Sequence, residues 1–129
     1  MPTNMDMMGQ IVKAINQSGD LDKVSWAEFS SVFEMDDDGE LAGSYGYAYD
    51  AAGIYTAVAF LTPSVASAVE AYREWLRLEG DKGFKKMLLQ FNRVSFRVKA
   101  EFEFENLSRW QITPRNVDEM IAKLRPNLE

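Results

Sequence analysis

Apolar residues recur along the chain at two different spacings, and these spacings divide it into predicted helices and strands. Residues 4–17 carry apolar side chains three and four positions apart, which is typical of one side of an amphipathic helix. Those side chains are Met5, Met8, Ile11, Val12 and Ile15. Over residues 24–35 the spacing changes to every second position, which indicates a strand. The chain therefore starts with a helix and continues into a strand.

Six further elements follow from turn residues and spacing. An Asp-Gly pair at residues 38–39 predicts a hairpin, and Thr-Pro pairs at 62–63 and 113–114 predict helix starts, since Pro fits the first helical position. The remaining strands are predicted over residues 40–49, 54–61, 87–91 and 96–105, and the remaining helices over residues 62–80 and 113–124.

These elements predict a single α+β domain spanning residues 1–129. Their order is helix, three strands, helix, two strands, helix, in the form α-β-β-β-α-β-β-α. The short connections favour an antiparallel meander of five strands with the helices packed on one face of the sheet. The length also fits one domain with an adequate hydrophobic core.

Two strands have alternations that predict what their faces touch. Residues 96–105 alternate apolar side chains, expected to face inward, with charged ones expected to face solvent. The inward set is Phe96, Val98, Ala100, Phe102 and Phe104. On the strand at 40–49 one face is all small, which predicts close approach of a helix or another backbone. In the loop that follows residue 105, Trp110 is expected to anchor the loop, with Arg109 stacked on it.

The composition excludes several kinds of chemistry. The chain has no cysteine and no histidine, so it cannot contain a thiol nucleophile, a disulfide, a zinc finger or a Ser-His-Asp relay. Carboxylate, lysine or tyrosine catalysis stays open, but the acids lie mainly in predicted turns. We therefore expect no catalytic residues, no cofactor, no metal and no enzymatic activity.

Charge is distributed unevenly along the chain. The net charge is −6, with eleven acids and two bases in residues 1–70 and nine acids and twelve bases in residues 71–129. Nucleic-acid binding depends on basic contacts to phosphate, so the acidic half points to a basic protein partner instead. Neither a membrane span nor a secretory signal is visible, and a cytoplasmic location is expected.

The densest group of potential binding side chains lies in the predicted first hairpin. Asp36, Asp37, Asp38 and Glu40 place four carboxylates within five residues, and Asp50 begins the next turn. A calcium loop would also need a bidentate glutamate that is absent at the expected offset, and a catalytic acid would need a dry pocket. The carboxylates are interpreted as a solvated turn or as contacts for a basic partner.

Tyrosines occupy every second position in the last part of the strand that lies between the acids at residues 36–40 and Asp50. Tyr45, Tyr47 and Tyr49 share one face, as expected of a core or of a protein interface. Tyr47, the middle one, joins the acids as a candidate contact residue. The proposed contact set is therefore Asp36, Asp37, Asp38, Glu40, Asp50 and Tyr47.

The C-terminal third resembles a known family. The likeness is carried by VSFRV at residues 94–98, FEFE at 102–105, SRWQITP at 108–114 and Asn116, with an acidic hairpin and an aromatic helix matching in pattern only. These features resemble the YezG-like immunity proteins of contact-dependent growth inhibition and other polymorphic toxin systems. The resemblance implies a small cytoplasmic protein that binds and blocks a cognate toxin, often a nuclease, without catalysis.

Two other classes stay open at this point. The order of elements is also similar to that of class I type III secretion chaperones, which bind an extended effector segment and are dimers. An enzyme using carboxylates or tyrosines is the second alternative. The favoured hypothesis is an antitoxin that is a monomer when free and meets a basic toxin through its acidic surface.

Overall fold

A computed structural model of the protein describes residues 2–128. Its helices are α1 (Asn4–Ser18), α2 (Pro63–Leu78) and α3 (Val117–Lys123). Its strands are β1 (Glu28–Met35), β2 (Leu41–Tyr49), β3 (Tyr55–Val58), β4 (Lys86–Asn92) and β5 (Arg97–Glu103). The α+β class and the order α-β-β-β-α-β-β-α confirm the prediction from the sequence.

The five strands form one antiparallel sheet in the order β3-β2-β1-β4-β5. β1 is central, and its first residue Glu28 lies opposite Tyr49 of β2 on one side and Asn92 of β4 on the other. α2 carries the chain from the β3 edge back to β4. The expected simple meander is therefore wrong, because β4 pairs with β1 and not with β3. A pairing between strands so distant in the chain leaves no mark on local spacing.

Each face of the sheet carries its own apolar core. The core beneath α1 and α2 contains Phe29 and Met87 from the sheet, Ile11 from α1 and Val69 from α2. The core on the opposite face joins the sheet to α3 and the loop before it. Its buried members are Val32, Tyr47, Tyr49, Leu88, Trp110, Met120 and Leu124. The expectation that all helices pack on one face is therefore wrong, since α3 covers the other face.

The two helix starts at Thr-Pro pairs differ from each other. Thr62 is the N-cap of α2 and Pro63 its first residue, as predicted. α3 instead begins at Val117 after the N-cap Asn116, because Asn116 Oδ1 accepts a hydrogen bond of 2.7 Å from the Thr113 N–H. That bond closes a turn over residues 113–116, which delays the helix by three residues.

Phe96 does not face inward. It precedes β5 in a turn, has a φ of +58° and is 79% exposed. The turn is closed by Asn92, whose side-chain oxygen accepts hydrogen bonds from Val94 and Ser95. The remaining inward residues of the predicted strand do pack against the α1 and α2 core.

The small face of β2 lies towards the core beneath α1 and α2, which contains Ala48, and Gly46 also allows close pairing with the neighbouring strand β1. A Cβ atom added at Gly46 would overlap with the Ser30 carbonyl of β1. The strands predicted over residues 24–35 and 54–61 are shorter in the structure, where they span 28–35 and 55–58. Across residues 2–128 no helix has the length and apolar character needed to cross a membrane.

Candidate interaction surface

The four clustered carboxylates lie on the turn between β1 and β2, residues 36–40, which we call the acidic turn. Asp36 Oδ1 accepts hydrogen bonds of 2.9 Å from the N–H groups of Asp38 and Glu40. The Gly39 N–H donates to the Asp36 carbonyl, and Gly39 has a φ of +81°, which glycine adopts without steric cost. Asp36 therefore holds the shape of this turn through its own side chain.

The turn between β2 and β3, residues 50–54, has the same construction, and we call it the alanine turn. Asp50 Oδ1 accepts hydrogen bonds of 2.9 Å from Ala52 and Ile54, the second and fourth residues after it. The Gly53 N–H donates to the Asp50 carbonyl, and Gly53 has a φ of +85°. The side chain and backbone bonds of the acidic turn are thus repeated one strand later.

The two turns lie at opposite ends of β2. A nine-residue strand spans about 30 Å at ~3.3 Å per residue, so Asp50 is far from the acidic turn. The Oδ1 atom of Asp50 also accepts hydrogen bonds from two backbone N–H groups of its own turn. Asp50 therefore lies apart from the acidic turn and forms no continuous patch with it, and its role as a toxin contact stays a prediction.

Three carboxylates of the acidic turn extend into solvent. The side chain of Asp37 is fully exposed, with Lys85 Nζ 3.8 Å away, and Asp38 and Glu40 are exposed as well. Asp36 is exposed too, but its Oδ1 is used within the turn. Among residues 2–128, no group of three acidic side chains converges in a way that could hold a metal ion.

Tyr47 is the sixth predicted contact residue, and it is buried. Its exposed fraction is 4%, and its ring meets that of Tyr55 edge-on at 5.5 Å. Burial raises the pKa of Tyr47, and the neighbouring Tyr55 and Asp118 of α3 raise it further. Tyr47 belongs to the core beneath α3, so a partner could not reach it in this conformation.

An arginine lies against the glycine of each turn. A Cβ built at Gly39 would lie 2.5 Å from Nη1 of Arg73, and one built at Gly53 would lie 2.6 Å from Nη1 of Arg125. Arg73 is held from α2 by a 2.8 Å bond from its Nε to the Phe84 carbonyl. Each turn therefore packs against an arginine guanidinium group, which adds to the similarity between the two turns.

A buried lysine was missed from the sequence. Lys86 lies close in the sequence to Lys82 and Lys85, yet its side chain is only 3% exposed. Its Nζ lies 3.1 Å from Glu34 Oε2 and donates to the Tyr45 hydroxyl at 3.3 Å and the Arg109 carbonyl at 3.1 Å. The signal in the sequence was the alternation along β4, which places Lys86 on the opposite face of the sheet from Met87.

This network fastens the loop before α3 to the sheet. An ammonium has three N–H donors, and Glu34, Tyr45 and the Arg109 carbonyl take all of them, so Lys86 has none left for a ligand. Burial, and then the charge of Glu34, raises the pKa of Tyr45. As predicted, Trp110 is buried and the Arg109 guanidinium stacks on it at 4.2 Å. The role of Lys86 is therefore structural.

A polar cleft of about 660 Å³ lies between β5 and α3, and the sequence did not predict it either. Three of its four basic side chains pair with acids: Lys99 with Glu101 at 3.9 Å, Arg109 with Glu103 at 3.2 Å and Arg125 with Glu28 at 2.9 Å. The charged face of β5, expected to be freely solvated, thus forms one wall of this cleft.

No protein-family model matches the sequence, and no curated protein is significantly similar to it. The acidic turn is the group of predicted contact residues that lie together and are accessible to a partner.

Proposed function

We propose that the protein is an immunity protein that binds a cognate toxin domain and neutralises it. The toxin has a basic surface, as a nuclease does around its substrate cleft, and the acidic turn contacts that surface. The protein acts in the cytoplasm, uses no cofactor and catalyses no reaction. The resemblance of residues 94–116 to YezG-like immunity proteins supports the same proposal.

The observation that carries the proposal is the comparison between the two turns. The alanine turn makes the same backbone bonds with Ala51, Ala52 and Ile54 at the positions of Asp37, Asp38 and Glu40. The three carboxylates are therefore unnecessary for the shape of the turn. Because these acids repel one another and do not shape the turn, we assign them to contact with a basic partner.

The placement of these acids suits rapid association with a cation-rich protein. Charge on a rigid, exposed turn orients an approaching partner and raises the association rate, and salt weakens the effect because the Debye length is about 8 Å at physiological ionic strength. The basic cleft of a nuclease, once covered, cannot admit its substrate. The proposed inhibition needs contact and no chemistry.

The test exchanges the residues of the two turns. The first variant carries D37A, D38A and E40I, and the second adds A51D and A52D, which restores two of the three charges but places them at the other end of β2. Binding is measured against the catalytically inactivated toxin domain encoded in the adjacent reading frame. We expect both variants to bind about tenfold more weakly than the wild type at ~50 mM salt, and less so at ~500 mM.

Protection of growing cells from the active toxin domain gives the second readout. Wild-type affinity in the second variant alone would mean that net charge matters and position does not. Wild-type affinity in both variants would place the interface elsewhere. A protein that binds the unfolded toxin polypeptide but does not bind the folded toxin domain would be a chaperone.

A further inference from the structure

The acidic turn is too small to form an inhibitory interface by itself. Stable protein interfaces bury about 800 Å² on each partner, and exposed ion pairs contribute little to affinity. Three carboxylates on one turn fall well short of that area. A second, less polar contact surface is needed on the same side of the molecule.

The β3 edge of the sheet has the required character. Of the eight large apolar side chains exposed within residues 2–128, three lie in β3 or within three residues of its ends: Ile54 at 68%, Tyr55 at 49% and Leu61 at 53%. From residue 51 to residue 69 the chain carries no charge at all. An exposed strand edge without charges is ready to pair with another strand.

The opposite edge of the sheet is protected in the usual way. β5 carries Arg97, Lys99, Glu101 and Glu103 within seven residues. Charged residues on an edge strand discourage pairing with foreign strands, because pairing would desolvate them. The contrast between a charged β5 and an uncharged β3 marks β3 as the edge that can accept a strand.

The backbone of β3 presents free groups to the outside. The Asp50 N–H donates to the Ile54 carbonyl, so the backbone of Ile54 faces β2. Because this orientation alternates along a strand, Thr56 and Val58 also face β2, while Tyr55 and Ala57 present their N–H and C=O groups to the free edge. Both of these residues are exposed.

We infer that an uncharged, extended segment of the toxin pairs with β3 and adds a sixth strand to the sheet. This inference rests on the proposed function, and it names the second contact of the same interface. Val58 lies opposite Gly46, so this edge is about 20 Å from the acidic turn along β2 at ~3.3 Å per residue. One toxin domain can span both surfaces.

A groove beside β3 can receive side chains of the incoming strand. It measures about 440 Å³ and is lined by Ala57 and Val58 of β3, by adjoining residues of β2 and by Leu107 and Ile112, and its polar lining is Glu34, Lys86 and Gln111. In strand addition, backbone hydrogen bonds supply affinity, and pockets for alternate side chains supply specificity. The added strand would therefore gain both from β3 and its groove.

Amide hydrogen exchange on the wild-type protein tests this pairing directly. In the free protein the Tyr55 and Ala57 amides should exchange quickly, and the Thr56 and Val58 amides slowly. Binding of the inactivated toxin domain should slow Tyr55 and Ala57 at least about tenfold, since each N–H then donates to the added strand. This readout needs no variant to fold.

A proline substitution with a matched control gives the second measurement. A57P removes an outward N–H and leaves the ladder to β2 intact. A51P makes the same exchange at the second position of the alanine turn, where proline is favoured. We expect A57P to weaken toxin binding about tenfold and A51P to leave it unchanged.

The outcomes separate this inference from the proposed function. If the wild type binds the toxin domain while Tyr55 and Ala57 stay fast and A57P binds normally, the strand addition is wrong and the proposed function stands. If the wild type does not bind, both are wrong. Slow exchange of Tyr55 and Ala57 in the free protein at high concentration would assign the edge to a second copy of this chain and overturn the inference.

Discussion

The acidic turn and the alanine turn have the same shape and opposite surface chemistry. Each is held by an aspartate whose Oδ1 accepts hydrogen bonds from two backbone N–H groups, and each has a glycine with positive φ beside an arginine at its fourth position. One exposes three carboxylates where the other exposes two alanines and an isoleucine. The comparison separates the residues that make a turn from the residues that the turn displays.

This separation changes how the cluster of acids is interpreted. Asp36 and Asp50 serve the same structural purpose, although only Asp36 belongs to an acidic run. Asp37, Asp38 and Glu40 are the residues with a charge that the fold does not require. A count of carboxylates along the sequence would give all four equal weight, whereas the hydrogen bonds assign one of them to the turn.

The largest effect should come from removing the aspartates that hold the turns. We expect D36A and D50A each to lower the free energy of unfolding by about 2 kcal/mol, because each loses two hydrogen bonds to a carboxylate. Chemical denaturation at neutral pH measures both. D36N and D50N keep the accepting oxygen and should recover about half of the loss.

The turn comparison fails if the two alanine variants differ strongly. A loss in D36A that exceeds the loss in D50A by more than about 1 kcal/mol would mean that the turns are alike in geometry only. The same conclusion would follow if the asparagine variants restored one turn and left the other destabilised.

Both turns could be predicted from the sequence, because their cause is local. An aspartate followed three residues later by a glycine, between two alternating segments, carries the hydrogen-bond acceptor and the left-handed residue within five positions. The eight elements could be predicted for the same reason. Helix and strand spacing, caps and turn residues all act over a few neighbouring residues.

The accessibility of the candidate residues could not be predicted, because it depends on contacts that are distant in the chain. Tyr47 and Lys86 are buried because α3 and the loop before it fold over the sheet face that carries them. Which face α3 covers, and that β4 lies beside β1, depend on tertiary packing. Burial of a polar side chain therefore had no local signal beyond strand phase.

A smaller effect is expected from the glycines. G39A and G53A should each cost about 1–2 kcal/mol, since alanine is strained at a φ above +80°. The added methyl group also displaces a guanidinium, Arg73 in one turn and Arg125 in the other. Thermal unfolding of the two variants measures the cost, and a neutral result in either would mean that its turn relaxes into another shape.

Acid titration extends the comparison to a third turn held by a carboxylate. Glu103 Oε2 accepts hydrogen bonds from the N–H groups of Phe104, Glu105 and Asn106 after β5. The bonds from Asn106 and Glu105 contribute most to lowering the pKa of Glu103 from 4.5 to about 2.

Because the folded state lowers this pKa, ionised Glu103 stabilises the fold above pH 4.5. That contribution is lost as the pH falls towards about 2. The difference in unfolding midpoint between the wild type and E103Q should therefore be full at pH 6 and vanish near pH 2. A difference that does not change with pH would show that the charge of Glu103 is unimportant for its turn.

The smallest effect on stability should come from the variant with the largest expected effect on binding. D37A/D38A/E40I gives the acidic turn the residues that the alanine turn already carries. Its free energy of unfolding should therefore lie within about 0.5 kcal/mol of the wild type. Loss of the 3.8 Å contact between Asp37 and Lys85 costs little, because Asp37 is fully exposed, and relief of repulsion among the acids acts in the opposite direction. Denaturation at low and high salt checks this, and a clear loss of stability at both would mean that the carboxylates shape the turn after all.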